Sequence, residues 1–322
     1  MVQKLYVLGN GFDLHHGLKT SYYDFAIYLK SSHRQLYDLL IQFINHPNSN
    51  EELWGDFEEN LAHLDIDELL SDNTDLLPNY MDDDFRDRDR YAFPDQMDLH
   101  LDLLTKDLFS EFENFIKSVV YIESSFERKI QLDNASLFLT FNYTNTLEKL
   151  YNIEKNKIIY IHNSVYDKYN NIILGHGIEP QTLNQKLDPP SNLSPEELEE
   201  WYSEQDSGDY SYEEGKNTII KYFSHTFKPT KQIILNHKPF FNNLINIKDI
   251  YILGHSISKV DLPYFIEIYN SVGNNCNWHI SFYNENERLQ HIQTLNKIGV
   301  SNITQFKLID IQSFNKQLEF KF

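Results

Sequence analysis

The polar residues that interrupt apolar runs are the ones that could do chemistry. Leu5-Tyr6-Val7-Leu8 leads into Gly9-Asn10-Gly11-Phe12-Asp13, with Gly17 close behind. Glycines at such a turn let the backbone approach a phosphate or ribose, and the amides beyond can bond an anion. The same residues would also serve an ordinary tight turn from strand to helix. The full dinucleotide pattern Gly-x-Gly-x-x-Gly is not completed, because Leu14 takes the third glycine's place. Asp13 would repel a phosphate. It suits ribose hydroxyls or a sugar cation developing in a transition state, or else it caps the helix.

Further along, Phe138-Leu139-Thr140-Phe141 leads to Asn142, with Thr144 and Asn145 able to cap the next helix. The Asn142 amide could hold a ribose hydroxyl or a water, or bond its own backbone in a turn. Ile158-Ile159-Tyr160-Ile161 leads to His162, a candidate general base or a satisfied structural histidine. Leu174-Gly175-His176-Gly177 repeats the pattern, and so does Leu253-Gly254-His255-Ser256. The small residues and hydroxyls of the latter could receive a ribose or phosphate. A metal centre is not expected. No spacing among His15, His16, His162, His176 and His255 matches a zinc signature.

These residues need strands to bring them together. Eight β-rich runs are expected: 4–8, 136–142, 158–162, 172–174, 232–236, 250–253, 278–283 and 303–309. Many are almost wholly apolar, as strands buried on both faces of a parallel sheet are. Polar residues at the carboxyl ends of such strands build the ligand crevice of an open α/β sheet. Helical patterning covers 22–29, 33–44, 51–64 and 97–123; the last stretch carries one apolar stripe, Leu99, Leu103, Leu104, Leu108, Phe112, Phe115, Ile116 and Val119. The fold class is therefore α/β, a Rossmann-like, mostly parallel sheet with a large helical insertion after the first strand and a second, acidic insertion. The expected core is 1–30 with 136–178 and 231–322. The helical insertion is 31–135, and 179–230 is an acidic insertion or lid. Ser194-Pro195-Glu196-Glu197 opens a helix inside it. Tyr202, Tyr210 and Tyr212 could serve a homo-oligomer or partner surface, although acidic runs more often form a solvated face.

The 322 residues carry 28 Lys+Arg against 48 Asp+Glu, a formal net charge of −20. That charge argues against phosphate-backbone binding and so against direct nucleic-acid partners. One cysteine, Cys276, excludes an intramolecular disulfide framework and a cysteine-rich zinc site. No apolar stretch approaches the roughly 18 residues of a membrane span. A cytoplasmic protein with no membrane partner is expected.

Together the motifs resemble the AbiH family of bacterial abortive-infection proteins. The carrying residues are Gly9-Asn10-Gly11-Phe12-Asp13-Leu14, His16-Gly17-Leu18, Thr20-Ser21-Tyr22, Phe141-Asn142-Tyr143-Thr144, Thr146-Leu147-Glu148, Gly254-His255-Ser256 and Asp261-Leu262-Pro263-Tyr264-Phe265. The resemblance implies defence against phage in a bacterial cytoplasm, with a phage-derived trigger. A more distant resemblance is to sirtuin-like NAD-binding domains. Gly9, Gly11, Gly17 and Leu18 look like their glycine loop, Thr140-Phe141-Asn142-Tyr143-Thr144 like their asparagine motif, His162-Asn163 like their catalytic His-Gly, and Gly254-His255-Ser256 like their late strand end. Asp13, Thr144 and Asn163 depart from that pattern, and the four-cysteine module is missing.

This second resemblance implies a site for NAD or NADP as ligand and substrate. Gly9, Asn10, Gly11, Phe12, Gly17, Thr140, Gly254, His255 and Ser256 would bind the nucleotide. Asn142, His162 and Asp13 would carry cleavage of the nicotinamide–ribose bond, an NAD(P)+ glycohydrolase reaction. Two alternatives stay open at this point: a non-catalytic nucleotide sensor acting through a partner, and a metal-dependent nuclease or phosphohydrolase.

Overall fold

Six of the apolar runs form one parallel sheet in the computed structural model, which describes residues 2–44, 50–183, 194–197, 209–272 and 276–308. The strands are β1 (Lys4–Leu8), β2 (Leu137–Thr140), β3 (Ile158–Tyr160), β4 (Asp249–Leu253), β5 (Asn277–Phe282) and β6 (Ile303–Lys307). Their order is β3-β2-β1-β4-β5-β6, the doubly wound arrangement of the Rossmann-like class. Leu8 pairs with Thr140 on one side and with Leu253 on the other, so the carboxyl ends of β2, β1 and β4 lie level. Chain direction through the sheet reverses between β1 and β4, and it is outside that point that open α/β sheets bind ligands.

Alternation explains why these runs are so apolar. Leu5, Val7, Leu139, Ile250, Ile252 and Ile280 enter one core layer, with Phe241, Phe265, Ile268 and Leu295 from the helices Lys238–Asn242, Leu262–Val272 and Glu285–Lys297. Tyr6, Leu8, Phe138, Tyr251 and Leu253 enter the other, with Phe12 of the helix Asn10–His15 and Leu147 and Leu150 of the helix Thr146–Tyr151. Each fully buried Leu or Ile contributes about 1.5–3 kcal/mol, so a polar residue on either face would be costly. Tyr6 stacks on its register partners Phe138 and Tyr251 at 5.3 and 5.1 Å, which pins the register across three strands.

Two expected strands are absent. The run 232–236 lies in the helix Thr230–Asn236, with Ile233 buried and Leu235 exposed. A short apolar run reads alike for strand and helix, and Pro229 just before it suits a helix start. The run 172–174 is a loop; Ile173 donates its amide to His162 O at 2.9 Å and accepts from Tyr143 Oη at 2.8 Å. The single stripe expected over 97–123 is broken into Ala92–Asp102, a π turn Leu103–Asp107 and Leu108–Lys117, with Glu123–Glu127 a separate helix. Of the expected strand 303–309, residue 309 lies outside the described residues, as do Tyr202 and residues 184–193 and 198–208 of the second insertion.

The chain forms two compact units. The first contains the sheet and comprises 1–27, 112–173 and 229–322; the second comprises 28–111 and 174–228. Both expected insertions therefore contribute to one unit, while 112–135 belongs with the sheet. In the second unit the helix Tyr210–Ile219 packs on the helix Ala92–Asp102. A Cβ at Gly215 would fall 2.6 Å from the Phe93 ring, so only glycine permits that approach. Lys228 is wholly buried and forms an ion pair with Glu58. His176 also belongs here. Its backbone bridges Thr226 and Lys228, its Nε2 donates to Phe223 O at 3.1 Å, and burial lowers its pKa to about 4. That histidine is spent on structure.

Candidate functional site

The turn after β1 and the turn after β4 press backbone against backbone. Gly9 N donates to Leu253 O at 3.1 Å and Gly11 N to Gly254 O at 2.8 Å. A Cβ on Gly9 would stand 2.7 Å from Gly254 O, and one on Gly11 would stand 2.8 Å from Gly254 Cα. Gly254 itself is left-handed (φ +62), and its missing Cβ would lie 2.2 Å from Phe12 N. The glycines thus close the reversal point of the sheet, and the amides of Gly9, Gly11 and Phe12 donate within the fold. Gly17 (φ +75) ends the helix Asn10–His15, its N–H returning to Leu14 O at 2.9 Å. Asn10 Oδ1 accepts from Thr20 Oγ1 at 2.6 Å.

Asp13 points into the interior and is 1% exposed. Its Oδ2 accepts from Thr144 Oγ1 and its Oδ1 from Thr146 Oγ1, both at 2.6 Å. Burial raises its pKa to about 6, and the two hydroxyls and the Asn142 amide hold it from rising further. Asp13 thereby ties the helix after β1 to the segment after β2. Asn142, also buried, donates its backbone N–H to Thr140 Oγ1 at 3.1 Å. Next to this cluster Tyr160 Oη donates to Glu148 Oε2 at 2.5 Å, and Tyr121 Oη donates to Asn145 Oδ1 at 3.0 Å. His16 is occupied: Nδ1 donates to Phe12 O and Nε2 accepts from Tyr151 Oη, each at 2.7 Å. Burial lowers its pKa to about 4, so it is neutral at physiological pH.

A second cluster gathers around Asp261, which precedes the helix Leu262–Val272. His162 Nε2 stands 3.7 Å from Asp261 Oδ1, and His255 Nε2 stands 3.6 Å from Asp261 Oδ2. The Phe141 ring separates the two imidazoles, edge-to-face with His162 at 5.2 Å and with His255 at 4.3 Å. Both histidines are buried, at 2% and 4% exposure, and Asp261 is mostly so. A carboxylate between two imidazoles fixes their orientation and stabilises either one when it is protonated. Ser256, next to His255, is exposed.

The structure brings Gly9, Gly11, Phe12 and Gly254 together. It gathers Asp13, Thr140 and Asn142 around the β2 end, and His162 and His255 around Asp261. Asp261 was visible in the sequence only inside the Asp-Leu-Pro-Tyr-Phe motif. The available signal was Ser258-x-x-Asp261 ahead of Leu262-Pro263, a helix start with an acid at its mouth. Among the described residues no group of three or more His, Cys, Asp or Glu side chains has the geometry to hold a metal ion. No helix among them is long and apolar enough to cross a membrane.

A doubly wound α/β sheet with buried Asp, Asn and His side chains at the carboxyl ends of its strands defines a Rossmann-like protein with polar clusters beside the reversal point. Over residues 5–282 the chain matches the family described as bacteriophage abortive infection AbiH, and it belongs to that family. No curated protein and no solved structure matches it significantly.

Proposed function

We propose that this abortive-infection protein binds NAD(P), or a related nucleotide, in a sirtuin-like site and hydrolyses the nicotinamide–ribose bond. The reading is supported by His162 beside Asp261, beyond the carboxyl end of β3, and by Asn142 bonded to Asp13 beyond the neighbouring ends of β2 and β1. That gives a base with a carboxylate behind it, and an amide near a buried acid, at the end of the sheet where α/β folds hold ligands. In the reaction His162 takes a proton from water, whose oxygen bonds to C1 of the ribose. The C–N bond breaks with its electron pair passing to the ring nitrogen of nicotinamide, which leaves neutral. The His162 proton then passes to solvent. Asn142 positions ribose and water, and Asp13 contributes negative potential as the sugar cation develops. The protein acts in the cytoplasm in answer to a phage-derived trigger, and an assembly of several copies would suit such a switch.

One observation favours a second reading, a nucleotide sensor without turnover. Both Asp13 oxygens already accept hydrogen bonds within the protein, so its charge is spent inside the fold rather than on a developing sugar cation. Incubation with NAD and with NADP separates the readings. Glycohydrolysis predicts nicotinamide release that Asn142→Ala lowers at least tenfold. Tight calorimetric binding of intact NAD with no nicotinamide formed would select the sensor.

A further inference from the structure

Two buried histidines share one carboxylate, and the surrounding backbone shows how one of them is held. His255 Nδ1 accepts the Ile257 N–H at 2.9 Å, so the ring proton sits on Nε2, the nitrogen 3.6 Å from Asp261 Oδ2. Both ring nitrogens of His255 are thus committed inside the protein. Asp261 Oδ2 also receives Ser258 Oγ at 3.3 Å, leaving Oδ1 as the oxygen turned to His162 Nε2 at 3.7 Å. That arrangement favours the Nε2–H form of His162, in which the lone pair lies on Nδ1. Distances of 3.6–3.7 Å are those of ion pairs rather than tight hydrogen bonds, and such contacts often shorten once a substrate is bound.

A second observation is independent of these distances. Ile257, a buried β-branched residue, holds a left-handed φ of +52, and Asn163, directly after His162, holds one of +62. Ile in that region costs roughly 1–2 kcal/mol and persists only where its surroundings enforce it. At Ile257 the strained backbone is what delivers the N–H to His255 Nδ1.

We propose that Asp261 is a shared positioning residue, anchored by His255 and the Ile257 amide, that sets the tautomer and basicity of His162. On this reading His255 serves as an anchor for Asp261 and makes no contact with the nucleotide. The role assigned to His162 rests on the glycohydrolase reading; the coupling of the three side chains does not. Facing the trio are Ser258, the Phe141 ring, the Tyr264 and Tyr143 rings, 5.5 and 6.3 Å from that of His162, and the Phe265 ring, 5.0 Å from that of His255. His291 of the helix Glu285–Lys297 is electrostatically coupled to His255 and held neutral, with its pKa lowered to about 4 by burial. Its own neighbour is Glu287, at 3.7 Å.

Histidine ring NMR across pH tests this on the full chain. Asp261→Asn should lower the His162 and His255 midpoints together, by about one unit, and should shift His162 away from the Nε2–H form. An unmoved His162 in a folded Asp261→Asn protein would overturn the proposal. If that variant does not fold, His255→Gln carries the test: the Asp261 charge then acts on His162 alone and its midpoint should rise, and no change would overturn the proposal equally. Where nicotinamide is released, Asp261→Asn should also move the acidic limb of the rate profile to lower pH. Absence of release from the wild-type protein, both alone and with lysate of phage-infected cells added as a source of trigger, would end the glycohydrolase reading, while the titrations would still decide the fate of the trio.

Discussion

Asp13 shows how much one buried carboxyl can do. Its folded pKa of about 6 lies above the ordinary 3.8. The folded state therefore holds its proton more tightly than the unfolded chain, and the stabilising contribution is full below about pH 4 and lost as pH rises through 6. A shift of about two units corresponds to ~3 kcal/mol. Urea unfolding of wild type and Asp13→Asn should diverge by roughly that amount between pH 4 and 7, with the variant gaining relative to wild type. Parallel curves would show that the carboxyl does not titrate in this range. That Asp13 and His162 sit at strand ends among polar partners was legible in the sequence, because a charge or an imidazole at the end of an apolar run needs a reason. Asp261 was not. In the sheet β3 and β4 are separated by β2 and β1, a span of about 14 Å. Only the loops beyond the strands bring His162 and His255 to one acid.

At the level of elements, the glycines carry a clear expectation. Gly254→Ala must hold a side chain at φ +62 with its Cβ against Phe12 N. Neither backbone can yield without opening the contact between β1 and β4, so a loss of about 3 kcal/mol or more is expected in chemical denaturation. A midpoint within error of wild type would mean that the two turns do not press together. The parallel sheet was legible from its apolar runs, since burial on both faces removes polar alternation. The helix Thr230–Asn236 was not, because its three apolar residues, Ile233-Ile234-Leu235, fit either period. The Gly-Asn-Gly turn was found, but its sequence could not say whether the space belongs to a ligand or to Gly254.

For the molecule as a whole, the two units make separate predictions. In the second unit Glu58→Gln would leave the buried Lys228 charge without its carboxylate, a change that costs about 3 kcal/mol. Hydrogen exchange should rise in peptides from 28–111 and 174–228, while the sheet peptides of the first unit keep their protection. A uniform rise over both units would instead mean that they unfold as one. The net charge of −20 argues against binding along nucleic-acid backbones, and on the proposed reading the anion held is a small nucleotide.

The measurement that bears most directly on function is nicotinamide release from NAD and NADP by the wild-type protein and by His162→Ala, each first shown to be folded. Release by the wild type and loss of at least two orders of magnitude in the variant are expected. Equal release by both proteins would overturn the role of His162, because the reaction would then run without its base.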